Sequence, residues 1–224
     1  KPDDFIGYVK ELQGICGTKE GHCLNNGSIC TMITCGNVRY LSTGDIEKQE
    51  EAKLTARYGS GLNSDILMVP HHGLKTSCTS AFASKVTPMW SFEQNHGFTD
   101  AYQDAVKRVG KYGYNYPVAT KKRGIIYDIS GSRVRVFRDY NNNCRPDDGL
   151  LKGWLSSGGG TQYYDGSGYI RTGWNWLGGY AYYMSGSSGF RFTGSHRING
   201  TKVKFSSSGK LTSHRKPSKV KTRY

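Results

Sequence analysis

Acid is scarce in this chain. Its 224 residues include 17 Asp or Glu against 31 Lys or Arg, for a formal net charge of +14. Such an excess suits an anionic partner: nucleic acid, a wall polymer or a membrane surface. The basic, acid-free end at 214–224 reads equally well as a solvated tail. Apolar residues are also sparse, at 36%, which limits the core. No run of about 18 apolar residues occurs, so no helix of the spanning kind is encoded. A basic stretch followed by an apolar one, as in a secretory signal, does not open the chain. The opening KPDDFIGYVK has no initiator methionine and is expected to be a processed or cut end. Six cysteines are present (16, 23, 30, 35, 78 and 144) but no CxxC pair, which argues against a zinc ribbon. Their even number permits disulfides. Cys16–Cys23 is then a local loop closure, and free buried thiols are the alternative.

What is present divides near residue 149. The first part alternates strand and helix signals. Strands are expected at 28–36 and 37–45, joined by a tight turn at Gly36–Asn37. A helix over 46–59 stops at a glycine. A buried strand at 65–69, a helix over 79–87, a strand at 88–92 and a helix over 99–113 follow. Edge strands and a closing hairpin are expected over 115–121, 123–130 and 132–140. This alternation predicts a layered α/β arrangement.

After residue 149 the chain turns to Gly, Ser, Tyr and Trp, and it repeats. Segments 153–172, 173–193 and 194–213 align, each with an aromatic or apolar pair, a Gly/Ser turn and a further short strand. Each predicts one small hairpin. A hairpin cannot bury its own face, so the units must stack as a solenoid. The third lacks tryptophan and is basic, as suits a degenerate or capping repeat. The pieces GW (153–154), YYDGSGYIRTGW (163–174) and YYMSGSSG (182–189) resemble the choline- or glucan-binding repeats of secreted Gram-positive wall proteins. That resemblance implies aromatic cages for a quaternary ammonium. Trp154, Tyr164, Trp174 and Tyr183 are the candidate ligand-binding residues, with Trp176 behind them. A cation on aromatic faces gains roughly 0.5–2 kcal/mol. Stacking on sugar rings and plain packing between repeats remain open alternatives.

In the first part, DILMVPHHGLKTS (65–77) ends an apolar run in two histidines, and Asp45 ends the preceding strand signal in TGD. Both loops can emerge on one rim of a layered fold. There a carboxylate and an imidazole can hold divalent metal, which lowers the pKa of bound water. Segments 25–47 and 65–77, with 95–110 after them, resemble the C-terminal half of a metallo-β-lactamase-fold hydrolase. The competence-protein DNA-uptake domains and the phosphorylcholine esterases are the nearest in flavour. The resemblance implies the C-terminal half of an αββα sandwich over 1–149, then wall-binding repeats over 150–213 and the basic tail. It also implies Asp45, His71 and His72 as catalytic and metal residues, Asp45 bridging and one of the two histidines ligating, with two Zn2+ in the complete domain. Lys75, Thr76 and Ser77 take phosphate-binding or structural roles. His96 contacts a phosphate or leaving group, or is simply a loop residue.

The family's HxHxDH motif is absent, and His22 is the sole histidine upstream of Asp45. The site is therefore expected to need a missing N-terminal half, as part of a longer chain or as a separate one. The expected function is that of a secreted, phosphodiesterase-type metal hydrolase held at the cell wall. Its partners would be choline-bearing teichoic acid or glucan, with nucleic acid as a rival substrate. The alternative is a non-catalytic wall- or glycan-binding protein with a degenerate hydrolase domain.

Overall fold

Strands β1 (Thr31–Cys35) and β2 (Val38–Ser42) form the first hairpin of the computed structural model, which describes residues 24–94, 102–117, 124–141 and 143–212. The turn between them requires glycine. Gly36 has φ +58, and a Cβ there would lie 2.3 Å from the carbonyl oxygen of Gly131. Helix α1 (Lys48–Tyr58) ends at Gly59, which adopts φ 50. Next come β3 (Ile66–Met68), helix α2 (Ser80–Val86), β4 (Trp90–Glu93), helix α3 (Tyr102–Val109) and β5 (Tyr114–Pro117). Thr79 caps α2 by accepting from the Phe82 N–H at 3.2 Å.

The five strands make one sheet in the order β1-β2-β3-β4-β5. The pairs β2–β3, β3–β4 and β4–β5 are parallel, and each crossover carries a helix. Side chains alternate across the sheet. Leu41 and Leu67 face the helices and join Phe82, Val86 and Val109 in one core. Val38, Ile66 and Trp90 point to the other face. The hairpin β6 (Gly124–Ser130) and β7 (Arg133–Asp139) covers that second face with Val134 and Val136.

The layered α/β arrangement is thus present, with helices on one face of the sheet. The αββα sandwich is not seen among the described residues. A two-stranded hairpin and the first aromatic repeat lie where a second large sheet was expected. They also cover the apolar face that half a fold would expose. The edge is less protected: β1 is largely exposed, and Ile33 is 51% exposed. The part of the 115–121 expectation beyond residue 117 lies outside the described residues.

Three hairpins follow: β8 (Gly153–Ser157) with β9 (Gly160–Tyr164), β10 (Gly173–Leu177) with β11 (Tyr180–Met184), and β12 (Gly194–Ile198) with β13 (Thr201–Phe205). They share one register, Gly153 opposite Tyr164, Gly173 opposite Met184 and Gly194 opposite Phe205. After each hairpin the chain returns to bridge it, at Tyr164–Ile170, Met184–Arg191 and Phe205–Leu211. The same return strand bonds the preceding hairpin, through Arg191 N to Thr161 O and Leu211 N to Ala181 O, at 2.8 and 2.9 Å. Stacking therefore uses backbone bonds as well as side chains. The first repeat is fused to the sheet. Tyr164 is fully buried, and its hydroxyl accepts from Trp90 Nε1 at 2.7 Å. No helix among the described residues is long and apolar enough to cross a membrane.

Candidate functional site

The parallel pairing of β2 with β3 brings their carboxyl ends together. Thr43 Oγ1 donates to Met68 O at 2.9 Å, and the His71 N–H donates to Gly44 O at 3.1 Å. TGD and PHHG therefore share one rim, as ligand loops of such sheets do. Gly44 takes φ +56, and a Cβ there would press on the Ser28 side chain at 2.8 Å. Ser28 Oγ in turn accepts from the Asp45 N–H at 3.0 Å.

Residues Pro70–Gly73 form a tight turn in which His71 (φ 48) and His72 (φ 55) are both left-handed. Each such non-glycine residue costs of order 1–2 kcal/mol. Local bonds hold the turn: Ser77 Oγ donates to Pro70 O at 2.8 Å, and the Leu74 N–H donates to His71 O at 2.9 Å. The two rings consequently diverge, with centroids 6.3 Å apart and planes inclined by 53°.

His72 turns towards Asp45, with Nε2 3.5 Å from Asp45 Oδ1. Its Nδ1 meets the carbonyl oxygen of Gln94. A carbonyl only accepts, so Nδ1 carries the proton. In the neutral ring, the Nε2 lone pair and the Asp45 carboxylate then stand side by side, as two donors to one cation would. Both side chains are partly exposed, at 38% and 43%. His71 turns inward. Its Nδ1 lies 3.0 Å from Thr76 Oγ1 and 3.7 Å from Glu47 Oε1, and its Nε2 lies 3.3 Å from Asn25 Nδ2. Glu47 is buried and also accepts from Asn25 Nδ2 at 2.9 Å. The structure thus separates two histidines that sequence left equivalent. Among the described residues no three His, Cys, Asp or Glu side chains converge in a metal-holding group. The described residues alone therefore do not close a metal site. His22 and His96 lie outside them.

Three neighbours escaped the sequence reading. Buried Glu51 accepts from the Cys78 and Thr79 N–H groups, and Arg108 donates from Nε to Cys78 O at 2.5 Å. Together they pin the segment behind the histidine turn. Burial pushes the Glu51 carboxyl up, against the lowering effect of those N–H groups and Arg108. Glu93, at the end of β4, is pushed up to about 8 by burial, opposed by the hydrogen bond from Asn115. Thr76 serves His71 and Ser77 serves the turn, whereas Lys75 is exposed.

The aromatic residues form two groups. Trp154 faces its cross-strand partner Tyr163 at 4.9 Å and Tyr182 of the next hairpin at 5.0 Å, with both planes tilted by nearly 60°. Trp174 faces Tyr183 at 5.2 Å and Phe205 at 5.9 Å. In the third hairpin the corresponding pair is Ser195 and Lys204. Tyr164, expected as a cage wall, lies in the core instead, because strand alternation turns it away from Trp154. Tyr163 is the tyrosine of the pair that faces Trp154. Trp176 is 58% exposed. At the opposite end of the sheet from His72, a cleft of about 370 Å³ opens between the sheet and the first repeats, with Asp65, Arg133, Asp165 and Arg171 in its lining.

No family model matches the chain. Over 127 residues it is 31% identical to Competence protein ComA of Neisseria gonorrhoeae, covering 52% of this chain and 18% of that protein. ComE operon protein 3 of Bacillus subtilis is 25% identical over 119 residues, covering 52% of this chain and 15% of the relative. The chain thus spans less than a fifth of the length of these relatives. Among solved structures, choline binding protein F of Streptococcus pneumoniae, determined in the presence of a peptidoglycan analogue, is 29% identical. That match covers 40% of this chain and 27% of the other, with a TM-score of 0.31.

Proposed function

We propose that the chain is part of a secreted, metal-dependent hydrolase of the phosphodiesterase type, held at a cell wall by repeats that bind choline-bearing polymer or glucan. The observation that carries the hydrolase reading is the approach of His72 Nε2 to Asp45 Oδ1, 3.5 Å apart on the carboxyl-end rim. The order of TGD and PHHG, which resembles that of metallo-β-lactamase-fold hydrolases, supports it. So does the likeness to competence proteins. Zinc, two ions in the complete domain, belongs to this proposal, and the further donors come from residues other than the described ones. Within the chain, Gln94 fixes the His72 tautomer, and the Thr43 hydroxyl bond to Met68 O and the His71 N–H bond to Gly44 O hold the two loops in register. Phosphorylcholine is the proposed substrate class. Polynucleotide is the rival, favoured by the net charge of +14 and by the competence-protein likeness.

Zinc content after reconstitution tests the hydrolase reading, measured on the chain with and without the upstream half of the fold. The joined protein should hold zinc, and Asp45→Ala or His72→Ala should each reduce it. A joined protein that takes up none defeats the reading. Retention of the full chain on choline- and glucan-coupled resins tests the wall role, and binding to neither defeats it.

One observation favours a second reading, a wall-binding protein whose first part is a scaffold. Both ring nitrogens of His71 are engaged inside the protein, by Thr76 and Asn25. The zinc measurement separates the two.

A further inference from the structure

The return strands of the repeats place equivalent side chains at Leu150, Ile170, Arg191 and Leu211. Each bridges a preceding strand: Leu150 to Phe137, Ile170 to Tyr164, Arg191 to Met184 and Leu211 to Phe205. The first three also share a slot made by a later turn glycine. A Cβ on Gly168 would lie 2.3 Å from Leu150 Cδ1, on Gly189 2.2 Å from Ile170 Cδ1, and on Gly209 2.8 Å from Arg191 Cδ. Those glycines have φ +84, +68 and +77, so the slot is a fixed property of the repeat. Three of the four positions are aliphatic, and Arg191 alone carries charge.

The slot aims Arg191 at an aromatic face. Its Cζ lies 5.4 Å from the Trp154 ring centroid, inside the range of a cation–π contact. Trp154 is also the ring that Tyr163 and Tyr182 flank at 4.9 and 5.0 Å. The cation-binding face of this group is therefore already served by the protein's own guanidinium. In the Trp174 group the equivalent of Arg191 is Leu211, which packs with Trp174, Tyr183 and Phe205 in an apolar cluster.

We propose that Arg191 is a resident cation of the Trp154 group and sets its specificity, excluding simple quaternary ammonium ligands that must compete with it for the indole face. The inference rests on the wall-binding role of the repeats given above. An entering trimethylammonium group must displace the guanidinium and then share the cage with its positive charge. Both effects weaken binding at this cage relative to one with an aliphatic residue in the slot.

Calorimetric titration of the full chain with choline chloride tests this. Arg191→Leu, which restores the aliphatic residue of the other repeats, and Arg191→Gln, which keeps a polar side chain, should each raise affinity at one site by about tenfold, the scale of one cation–π contact. Arg191→Lys should stay near wild type, because it keeps the charge. Trp154→Ala should abolish the gain when added to Arg191→Leu. Unchanged or weaker choline binding in both neutral variants overturns the inference while leaving the wall-binding role standing. Absence of choline binding in every variant, wild type included, overturns the inference, and a choline-dependent wall role falls with it.

Discussion

Glu93 ends β4 on the helix-facing side of the sheet, fully buried beside Gly73 of the histidine turn. Asn115 donates to its Oε1 at 3.0 Å, whereas Oε2 has no hydrogen-bond partner among the described residues. Its pKa in the folded protein, about 8, lies above the ordinary 4.5. Below pH 4.5 both folded and unfolded chains hold the proton, so the group makes no difference. Between 4.5 and 8 the unfolded chain ionises first, and stability falls as pH rises. Above 8 the penalty is complete. Glu93→Gln keeps the acceptor for Asn115 and removes the titration. Its urea midpoint should therefore fall less between pH 5 and pH 8 than that of the wild type, by a few kcal/mol equivalent. Parallel pH profiles would refute the assignment. At this scale, the shared rim of Asp45 and the histidine pair was legible because TGD and PHHG are local signals at strand ends. The partners Asn25, Glu47 and Gln94 were not, since only tertiary packing brings an ordinary polar residue beside an imidazole.

The element that joins the two parts is strand β9, through the alternation of two adjacent tyrosines. Tyr163 faces outward to Trp154, and Tyr164 faces inward, where it accepts from Trp90 and donates to Gln162 Oε1 at 2.9 Å. Burial drives the Tyr164 hydroxyl far above its ordinary pKa, so it stays protonated and keeps donating. Tyr164→Phe would leave the buried Trp90 N–H and Gln162 carbonyl unpaired, at a cost of about 1–3 kcal/mol each. A lowered denaturant midpoint with an unchanged fold is expected. Tyr163→Phe should be nearly silent in the same measurement. Equal effects of the two substitutions would contradict the assigned faces. The sequence announced a tyrosine pair and a period of two but not the phase of that period. The phase is set by a partner on β4, 74 residues away.

Across the whole molecule, the apolar core on one side of the sheet is completed from beyond residue 149. Leu151 and Tyr164 are buried in it, and Leu155 and Ile170 pack against it, beside Val38, Ile66 and Trp90 from the sheet. The composition shift near 149 marks a change of element type, from helices and parallel strands to stacked hairpins. That shift was legible, whereas the continuity of the core across it was not, because the apolar residues involved are thinly spread among Gly and Ser. A chain ended at 149 keeps Val134 and Val136 on this face but should uncover the part that Leu151, Leu155, Tyr164 and Ile170 pack against, and lose the buried Trp90–Tyr164 bond. Large apolar exposure of this kind promotes association. The shortened chain should bind a hydrophobic dye, melt at lower temperature and elute as an aggregate, whereas the full chain should unfold in one transition followed equally by tryptophan fluorescence and circular dichroism. Two separate transitions in the full chain, with the first unchanged by removal of residues 150–224, would show that the repeats only hang from the sheet. A single transition would mean that a ligand seated on the repeats also stabilises the His72–Asp45 rim, because binding that favours the folded state favours all of it.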